Sequence, residues 1–328
     1  MSISIDTEED NWGSYDWEGA TVRNIQELPR LQEIFDKYGA KPTYLVNYAP
    51  LVDAESVRVL GELAARDDVE IGGHCHPWNT PPQTPGGEEN SMMCNFPEEV
   101  NRAKIEAVRD RIVSELGVTP KSFRAGRWGM GPTVTRALQA AGFEIDCSVS
   151  PFIDWTPMGG PDYSCAPHVP FRFRPEAPLV PDLSGSMVQL PTTIGFLRGD
   201  QRRGAARRRW LERSPLARLR VVGVLDRTGL LARRWLSPET TSGTEMARLA
   251  EAWLSSVEPP FIQLTFHSCT LLPGATPFVH DDDDRQRFLS WIEEVLASLT
   301  ALEARFELLA SAASLTSLVG EPGVRAST

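Results

Sequence analysis

Long hydrophobic runs are missing: no stretch of the 328 residues approaches the ~20 consecutive apolar residues of a membrane span. A secretory leader is not expected either, because Met1 passes at once into a strand-like run. Cysteine is scarce. Cys75, Cys94, Cys147, Cys165 and Cys269 are odd in number and irregularly spaced, which excludes a fully paired disulfide framework and points to free thiols in a reducing cytoplasm. Positive charge is in deficit: 33 Lys and Arg face 44 Asp and Glu, for a formal charge of −11. That balance speaks against a general nucleic-acid binder. Repeats and dividing linkers are also lacking, so one domain over 1–328 is expected. The remainder is ordinary for a globular protein, with 41% hydrophobic and 23% charged residues.

What is present is alternation. SISI (2–5) leads to a Leu- and Ile-rich helix over about 22–38, and PTYLVN (42–47) to a helix over about 54–66. DVEIGG (68–73) leads through a long loop to a helix over about 97–116, and KSFRAG (121–126) to one at about 131–141. FEIDCSVS (143–150) and MVQLPTT (187–193) are further strands. FIQLTFHS (261–268) precedes a helix at about 282–303, and RFELLA (305–310) reads as a last strand. Strands alternating with helices imply parallel βαβ units. Seven or eight units predict an α/β fold, a distorted (β/α) barrel that is closed or nearly so.

Ionisable residues gather where such strands end, which in a parallel barrel is the mouth. Asp6 and Glu8 end the first strand, His74 and His76 the third, and His267 the strand IQLTFH. Arg124 and Arg127 follow the fourth and Asp146 lies in the fifth. In GGHCHPW, two imidazoles two residues apart on extended chain lie on one side. The Gly pair before them permits unusual backbone angles, and Pro77 stiffens the exit. Two His and one carboxylate form a common catalytic metal set with positions left for water and substrate.

In this order the motifs resemble those of NodB-type polysaccharide deacetylases, metal-dependent enzymes that remove N- or O-acetyl groups from sugars. The resemblance runs from SISIDTEED to QLTFHS. It implies Asp6 as catalytic base, with Glu8, His74 and His76 as metal ligands. It implies Arg124 as the opening of the third motif, His267 as general acid and Asp146 as a residue that orients the site. The chain departs from the family in spacing its two His by two rather than four. It reads Asp-Thr-Glu rather than adjacent acids in the first motif, and Arg-Ala-Gly-Arg-Trp in the third. Glu9 and Asp10 are therefore alternatives to Glu8 as the third ligand. The implied cofactor is a divalent ion, zinc or else cobalt, nickel or manganese. Arg124 is expected to hold Asp6 ionised and oriented, and Asp146 to raise the pKa of His267. A backbone N–H after His76 is expected to stabilise the oxyanion.

Three other features have mainly structural readings. Cys75 between the two His should face the opposite side, and Cys147 and Cys269 beside site residues read as buried thiols. HDDDD (280–284) reads as the cap of the helix that follows. Segment 201–236 holds 11 Arg against two acids, a local charge of +9, with apolar residues interleaved. It predicts one or two amphipathic helices in an insertion at about 197–240, either packed on the acidic barrel or touching anionic membrane or lipid phosphate.

The function expected is metal-dependent removal of an acyl group from an N-acetylated sugar, glycolipid or glycoside, with no nucleic-acid partner. The location expected is the cytoplasm, with peripheral contact to its membrane through 201–236. Hydrolysis of another small amide or cyclic imide on the same fold is the alternative. A non-catalytic carbohydrate-binding protein is the alternative from another class, and the intact Asp6 and His267 speak against it.

Overall fold

The computed structural model describes residues 1–214 and 221–318. Strand β1 (Ser2–Thr7) is buried along its whole length. Its alternation separates two interiors rather than core from solvent. Ile3 and Ile5 join the main apolar core, while the Ser4 hydroxyl accepts from Arg124 and the Asp6 carboxylate pairs with it. Helix α1 (Leu28–Tyr38) follows and stops at Gly39, whose φ of 61° gives a left-handed cap. Then come β2 (Pro42–Val46), α2 (Ala54–Ala64), β3 (Glu70–Cys75), α3 (Glu98–Leu116), β4 (Ser122–Ala125), α4 (Pro132–Ala140) and the short β5 (Ile145–Asp146). The Asp53 side chain caps α2 by accepting from the Ser56 N–H.

The second half is less regular: β6 (Phe171–Phe173), β7 (Met187–Gln189), β8 (Ile194–Phe196), α5 (Gln201–Arg213), α6 (Val221–Arg227) and β9 (Arg233–Trp235). It ends with α7 (Gly243–Ser256), β10 (Gln263–His267), α8 (Asp282–Ala301) and α9 (Leu309–Ala312). Eight strands form one sheet in the order β10-β1-β2-β3-β4-β5-β7-β6. The first seven of these are mutually parallel and β6 runs antiparallel to β7. The sheet curls but does not close strand to strand. The outer edge of β10 is met instead by chain beside the β8–β9 hairpin, where Thr265 N–H donates to Leu236 O and Gln263 N–H to the Thr193 hydroxyl. Parallel register puts Asp6 level with His267 and His74 level with Arg124, so the strand ends deliver their side chains to one mouth.

The structure corrects several sequence expectations. RFELLA is not a strand: β1 already has β10 and β2 on its two edges. The chain at 305–307 passes outside, tied to Met1 and Ser2, before α9 begins. The strand expected over 143–150 shrinks to Ile145–Asp146. Gly72 and Gly73 lie in regular strand, and neither has a positive φ. What Gly72 provides is room, since a Cβ there would stand 2.5 Å from Ser122 Oγ. The Arg-rich stretch ends in strand β9, not helix. Its Leu216, Arg218, Leu219 and Arg220 lie outside the described residues. HDDDD does cap α8: Asp281 accepts from the Asp284 N–H and three acids occupy the first turn. Among the described residues no helix is long and apolar enough to cross a membrane.

Candidate metal centre and active site

Glu8, His74 and His76 converge. The His74 and His76 Nε2 atoms are 2.9 Å apart, and each is 3.2 Å from Glu8 Oε2. Ligand atoms about 2.0–2.1 Å from a tetrahedral ion stand roughly 3.3 Å from one another, so the triangle has the size of a metal face. The other ring nitrogens fix what these atoms carry. His74 Nδ1 is 2.9 Å from the Arg124 carbonyl, an acceptor, and His76 Nδ1 is 2.8 Å from Glu9 Oε1. Both Nδ1 atoms donate there, which in the neutral rings leaves lone pairs on both Nε2 atoms. In that state three acceptors face each other with no proton between them. Glu8 Oε2 is buried and has no hydrogen-bond donor. A cation satisfies all three at once, and the residues present fit a divalent metal.

The same carboxylates that would draw a cation also draw a proton. Burial opposes charge on the His76 ring, but the Glu9 and Glu8 carboxylates outweigh it and push its pKa up to about 10, so an ion binding here displaces a proton from Nε2. Burial likewise opposes the Glu8 carboxylate, yet the His76 and His267 rings hold it well below the usual range. The pocket is built to concentrate negative potential around a positive centre.

Glu9 stands behind the ligands rather than among them. Its Oε1 accepts from His76 Nδ1 and from Trp78 Nε1 at 3.0 Å, and its Oε2 from Asn79 at 2.7 Å and from Asn47. Asp10 turns away to the loop, accepting from the Thr21 hydroxyl and from Arg23 and Asn24 N–H groups. Of the three acids left open by the sequence, Glu8 is the one that faces both imidazoles. Cys75 points to the other side of the strand, with Sγ 3.6 Å from Thr80 Oγ1. Cys269 is closer: its thiol reaches Glu8 Oε1 at 3.5 Å, and burial, then the Glu8 charge, push it well above the usual thiol range.

Asp6 and His267 flank the triangle. Arg124, 1% exposed, donates to Asp6 Oδ1 at 2.6 Å, to Thr265 Oγ1 at 2.9 Å, to Ser4 Oγ at 2.7 Å and to Cys147 O at 3.0 Å. One guanidinium thus ties β1 and β10 to β4 and to the chain beyond β5. His267 Nε2 is 3.6 Å from Asp6 Oδ2. Its Nδ1 lies 3.0 and 3.1 Å from the two Glu239 oxygens. Burial opposes its charge, but Glu239 first, then Glu8, push its pKa up to about 10.

One expectation fails here and another is narrowed. Asp146 does not reach His267: its carboxylate accepts from the Ser148 N–H and hydroxyl and from Gln189. Burial raises its pKa, and it braces the loop after β5, whose Ser148 hydroxyl accepts from the Ala125 N–H. The His267 partner is Glu239, in SPET after β9, a stretch with no local signature; only its distance to His267 reveals it. The oxyanion donor expected after His76 cannot come from the next residue, because Pro77 has no N–H. What packs on His76 from across the mouth is the turn Gly126–Trp128, in which Arg127 and Trp128 take φ of 52° and 60°. A Cβ on Gly126 would lie 2.4 Å from the His76 ring, so the turn and this imidazole are shaped to each other.

A cavity of about 320 Å³ opens over these groups. Its walls are aromatic: Trp12, Tyr15, Trp78, Trp128 and Trp155. Trp12 meets His267 edge-on at 4.7 Å and Trp78 stacks on His76 at 4.1 Å. Arg127 lies over the Tyr15 ring and its charge is met by Glu88 at 3.5 Å.

No protein-family model matches the chain, and no curated protein sequence matches it. Solved structures match its fold. A Mycobacterium smegmatis protein provisionally assigned as a polysaccharide deacetylase is similar with a TM-score of 0.51 and 14% identity, over 92% of this chain and 82% of its own. A Parabacteroides distasonis protein provisionally assigned as a glycoside hydrolase or deacetylase is similar with a TM-score of 0.60 and 12% identity, over 98% of this chain and 71% of its own. At these identities the likeness is one of fold, and it is the open, curled α/β barrel that the motif resemblance implies.

Proposed function

We propose that the protein is a metal-dependent hydrolase that removes an N-acetyl or related acyl group from a sugar or sugar conjugate. The observation that carries this is the triangle of three buried lone pairs at the floor of an aromatic cavity, with Asp6 and His267 beside it. The assignments of the two fold neighbours support it. Glu8, His74 and His76 hold the ion, and two nitrogens with one oxygen favour zinc, with cobalt, nickel or manganese as substitutes. When bound, the ion supplies Lewis-acid polarisation of the acyl carbonyl and a water of lowered pKa.

The chain's own residues do the rest. Arg124 holds one Asp6 oxygen, so Oδ2 faces the cavity and takes the proton of the attacking water. Glu239 holds Nδ1 of His267, so the cationic ring presents Nε2 to the leaving nitrogen. As the C–N bond breaks, that proton goes to the nitrogen, which leaves as a neutral amine. The aromatic walls seat the apolar faces of a sugar ring and limit water. Asp146 acts only as a brace in this scheme. We read the chain as one barrel domain over 1–328 with an Arg-rich insertion at about 197–240.

The test is metal content together with acetate release across a panel of N-acetylated sugars. Wild type should carry about one ion per chain and release acetate. His74→Ala and His76→Ala should lose the ion and keep the fold. Full metal stoichiometry in both variants would remove the proposed site. Opening of a cyclic imide without acetate release from any sugar would transfer the chemistry to that class.

Location rests on two further observations. All five cysteines are free, which favours a reducing cytoplasm. On the insertion, Trp210 is 64% exposed among the exposed Arg202, Arg203, Arg207 and Arg213, a basic face with an apolar tip that suits an anionic bilayer and the glycolipid substrates found there. Sedimentation with anionic vesicles at low salt should carry the protein down, and salt should release it. No binding at low salt would remove the membrane contact.

A further inference from the structure

A second hollow lies behind the wall of the catalytic cavity. Its volume is about 260 Å³ and its charged lining is Arg208, Arg209, Arg213 and Arg233 against Asp154 and Glu212. The two hollows share one loop: Trp155 and Met158 face the catalytic cavity, while Phe152, Ile153 and Asp154 face the second. Strand β9 also joins them. Trp235 packs on Trp128 of the catalytic wall, with ring centroids 5.5 Å apart. Arg233 projects from the same side of the strand two residues away, about 7 Å along it.

The positive charge in this hollow is not used up. Glu212 pairs with Arg208 at 2.8 Å, and Arg208 turns its other nitrogen to Asp226 at 3.2 Å. Asp154 accepts from the Thr156 N–H and hydroxyl. Among the described residues, no carboxylate lies within ion-pair distance of Arg209, Arg213 or Arg233. Arg233 donates to Phe152 O at 2.7 Å, and Arg209 to Ser164 O at 3.1 Å and to Cys165 Sγ. Arg233 thereby holds the shared loop, and Arg209 the chain further on, each through a single nitrogen, which leaves most of their five donors over. Burial, and then the neighbouring Arg208, push Arg233 down to about 10. Glu212 and Asp226 offset part of this from a distance, but a half-buried guanidinium with no carboxylate of its own in ion-pair contact still favours an anion beside it. Forked donors of this kind match phosphate oxygens.

We infer that this hollow is an anion subsite for a phosphoryl or diphosphoryl group carried by the acylated sugar conjugate, beside the cavity where the acyl group is removed. It rests on the deacylase reading for the identity of the sugar end, but the anion site can be measured by itself. Pyrophosphate and inorganic phosphate are titrated against the whole protein by calorimetry. Saturable binding of pyrophosphate is expected. Arg209→Gln combined with Arg213→Gln, and separately Arg233→Lys, should weaken it about 10–100-fold, the worth of a lost charge-assisted hydrogen bond. Arg233→Lys keeps the charge and guards against a fold defect, which thermal melting checks. In turnover, an acetylated sugar phosphate should show a lower KM than the neutral acetylated sugar, at similar kcat. The Arg209/Arg213 variant should abolish that difference and leave the neutral sugar unaffected. No pyrophosphate binding to wild type, or equal binding in every variant, overturns the subsite. Pyrophosphate binding lost in the variants, with no acetate released from any sugar, would uphold the subsite and remove the deacylase reading. Binding that tracks free phosphate equally, with no KM difference between the two sugars, would make the ligand a free anion and overturn the link to substrate.

Discussion

Glu239→Gln isolates the charge that faces His267. The carboxylate sits 3.0 and 3.1 Å from Nδ1, with its side chain 7% exposed and the imidazole 20%. A unit-charge pair about 4 Å apart in a partly buried site at an effective dielectric constant near 20 is worth about 4 kcal/mol. That corresponds to about 3 pH units on the titration of the ring. The Gln oxygen can still accept from Nδ1, so about 1–3 pH units is the expected displacement. The sign follows from the raised pKa. His267 is cationic below about 10, and the proton donor disappears as pH rises through that value. Removing Glu239 moves the loss to lower pH, so the alkaline limb of kcat for acetate release from an acetylated sugar should retreat. The same linkage acts on stability: the pair stabilises the fold fully below the free imidazole value near 6.5, and that contribution is lost as pH rises through about 10. The assay is a pH–rate profile of wild type and variant at equal metal content, run in parallel on an activated aryl acetate whose leaving group needs no proton. The aryl ester should show the displaced limb weakly or not at all. An unmoved limb on the amide would refute the role given to the His267–Glu239 pair.

Three further outcomes are expected. Glu9→Gln should keep one ion per chain but bind it about 10–100-fold more weakly, because the buried amide cannot accept from all four donors around it; Glu8→Gln should lose far more in the same chelator competition, and the reverse order would exchange the two acids. Gly126→Ala should weaken metal binding and cost about 1–3 kcal/mol by thermal melting, since its Cβ meets His76 at 2.4 Å and the Cys75 carbonyl at 2.8 Å; unchanged melting and metal affinity would mean the turn has slack. Asp146→Asn should lower stability by about 1–3 kcal/mol through its Ser148 and Gln189 bonds while the alkaline limb stays in place; a limb displaced as far as in Glu239→Gln would return Asp146 to the His267 side.

The first half of the fold is legible because each βα unit carries its own punctuation. Gly39 ends α1, Asp53 starts α2, and the apolar runs between match β1 to β4 within a few residues. The two candidate ligand histidines are legible for a similar reason. His74 ends β3 and His76 lies just past it, two apart on extended chain, which puts both on one side. What stays hidden is set by contacts far along the chain. Glu239 and His267 are 28 residues apart, and Ser4 and Arg124 are 120 apart. The expectation that Asp146 serves His267 followed from the family resemblance, which sets it among the residues that orient the site. It fails because Ser148 and Gln189 satisfy that carboxylate locally. The strand assigned to RFELLA has a sound local pattern and loses to topology, since the sheet offers β1 no further edge.

The Arg-rich insertion shows where local charge counting stops being informative. From sequence, its excess must be met by the acidic barrel or by something outside. The described ion pairs divide it. Arg208 and Arg234 share Asp226, and Glu212 and Glu245 complete the pairs, so three of those four nitrogen–carboxylate contacts stay within the insertion. Only Glu245, in α7, comes from outside it. Part of its apolar surface is likewise consumed nearby, with Ala205, Leu211 and Leu231 packing with Phe152 and Phe196 into a small core of their own, while Trp210, Val224 and Leu230 stay exposed. Little of the barrel's negative excess is spent on the insertion, and a part of it stands at Glu8 and Glu9. Arg209, Arg213 and Arg233 remain facing a hollow beside the cavity over Glu8, His74 and His76. A positive hollow next to a negative cavity, separated by one loop, is a charge pattern suited to a ligand with an anionic end and a neutral one.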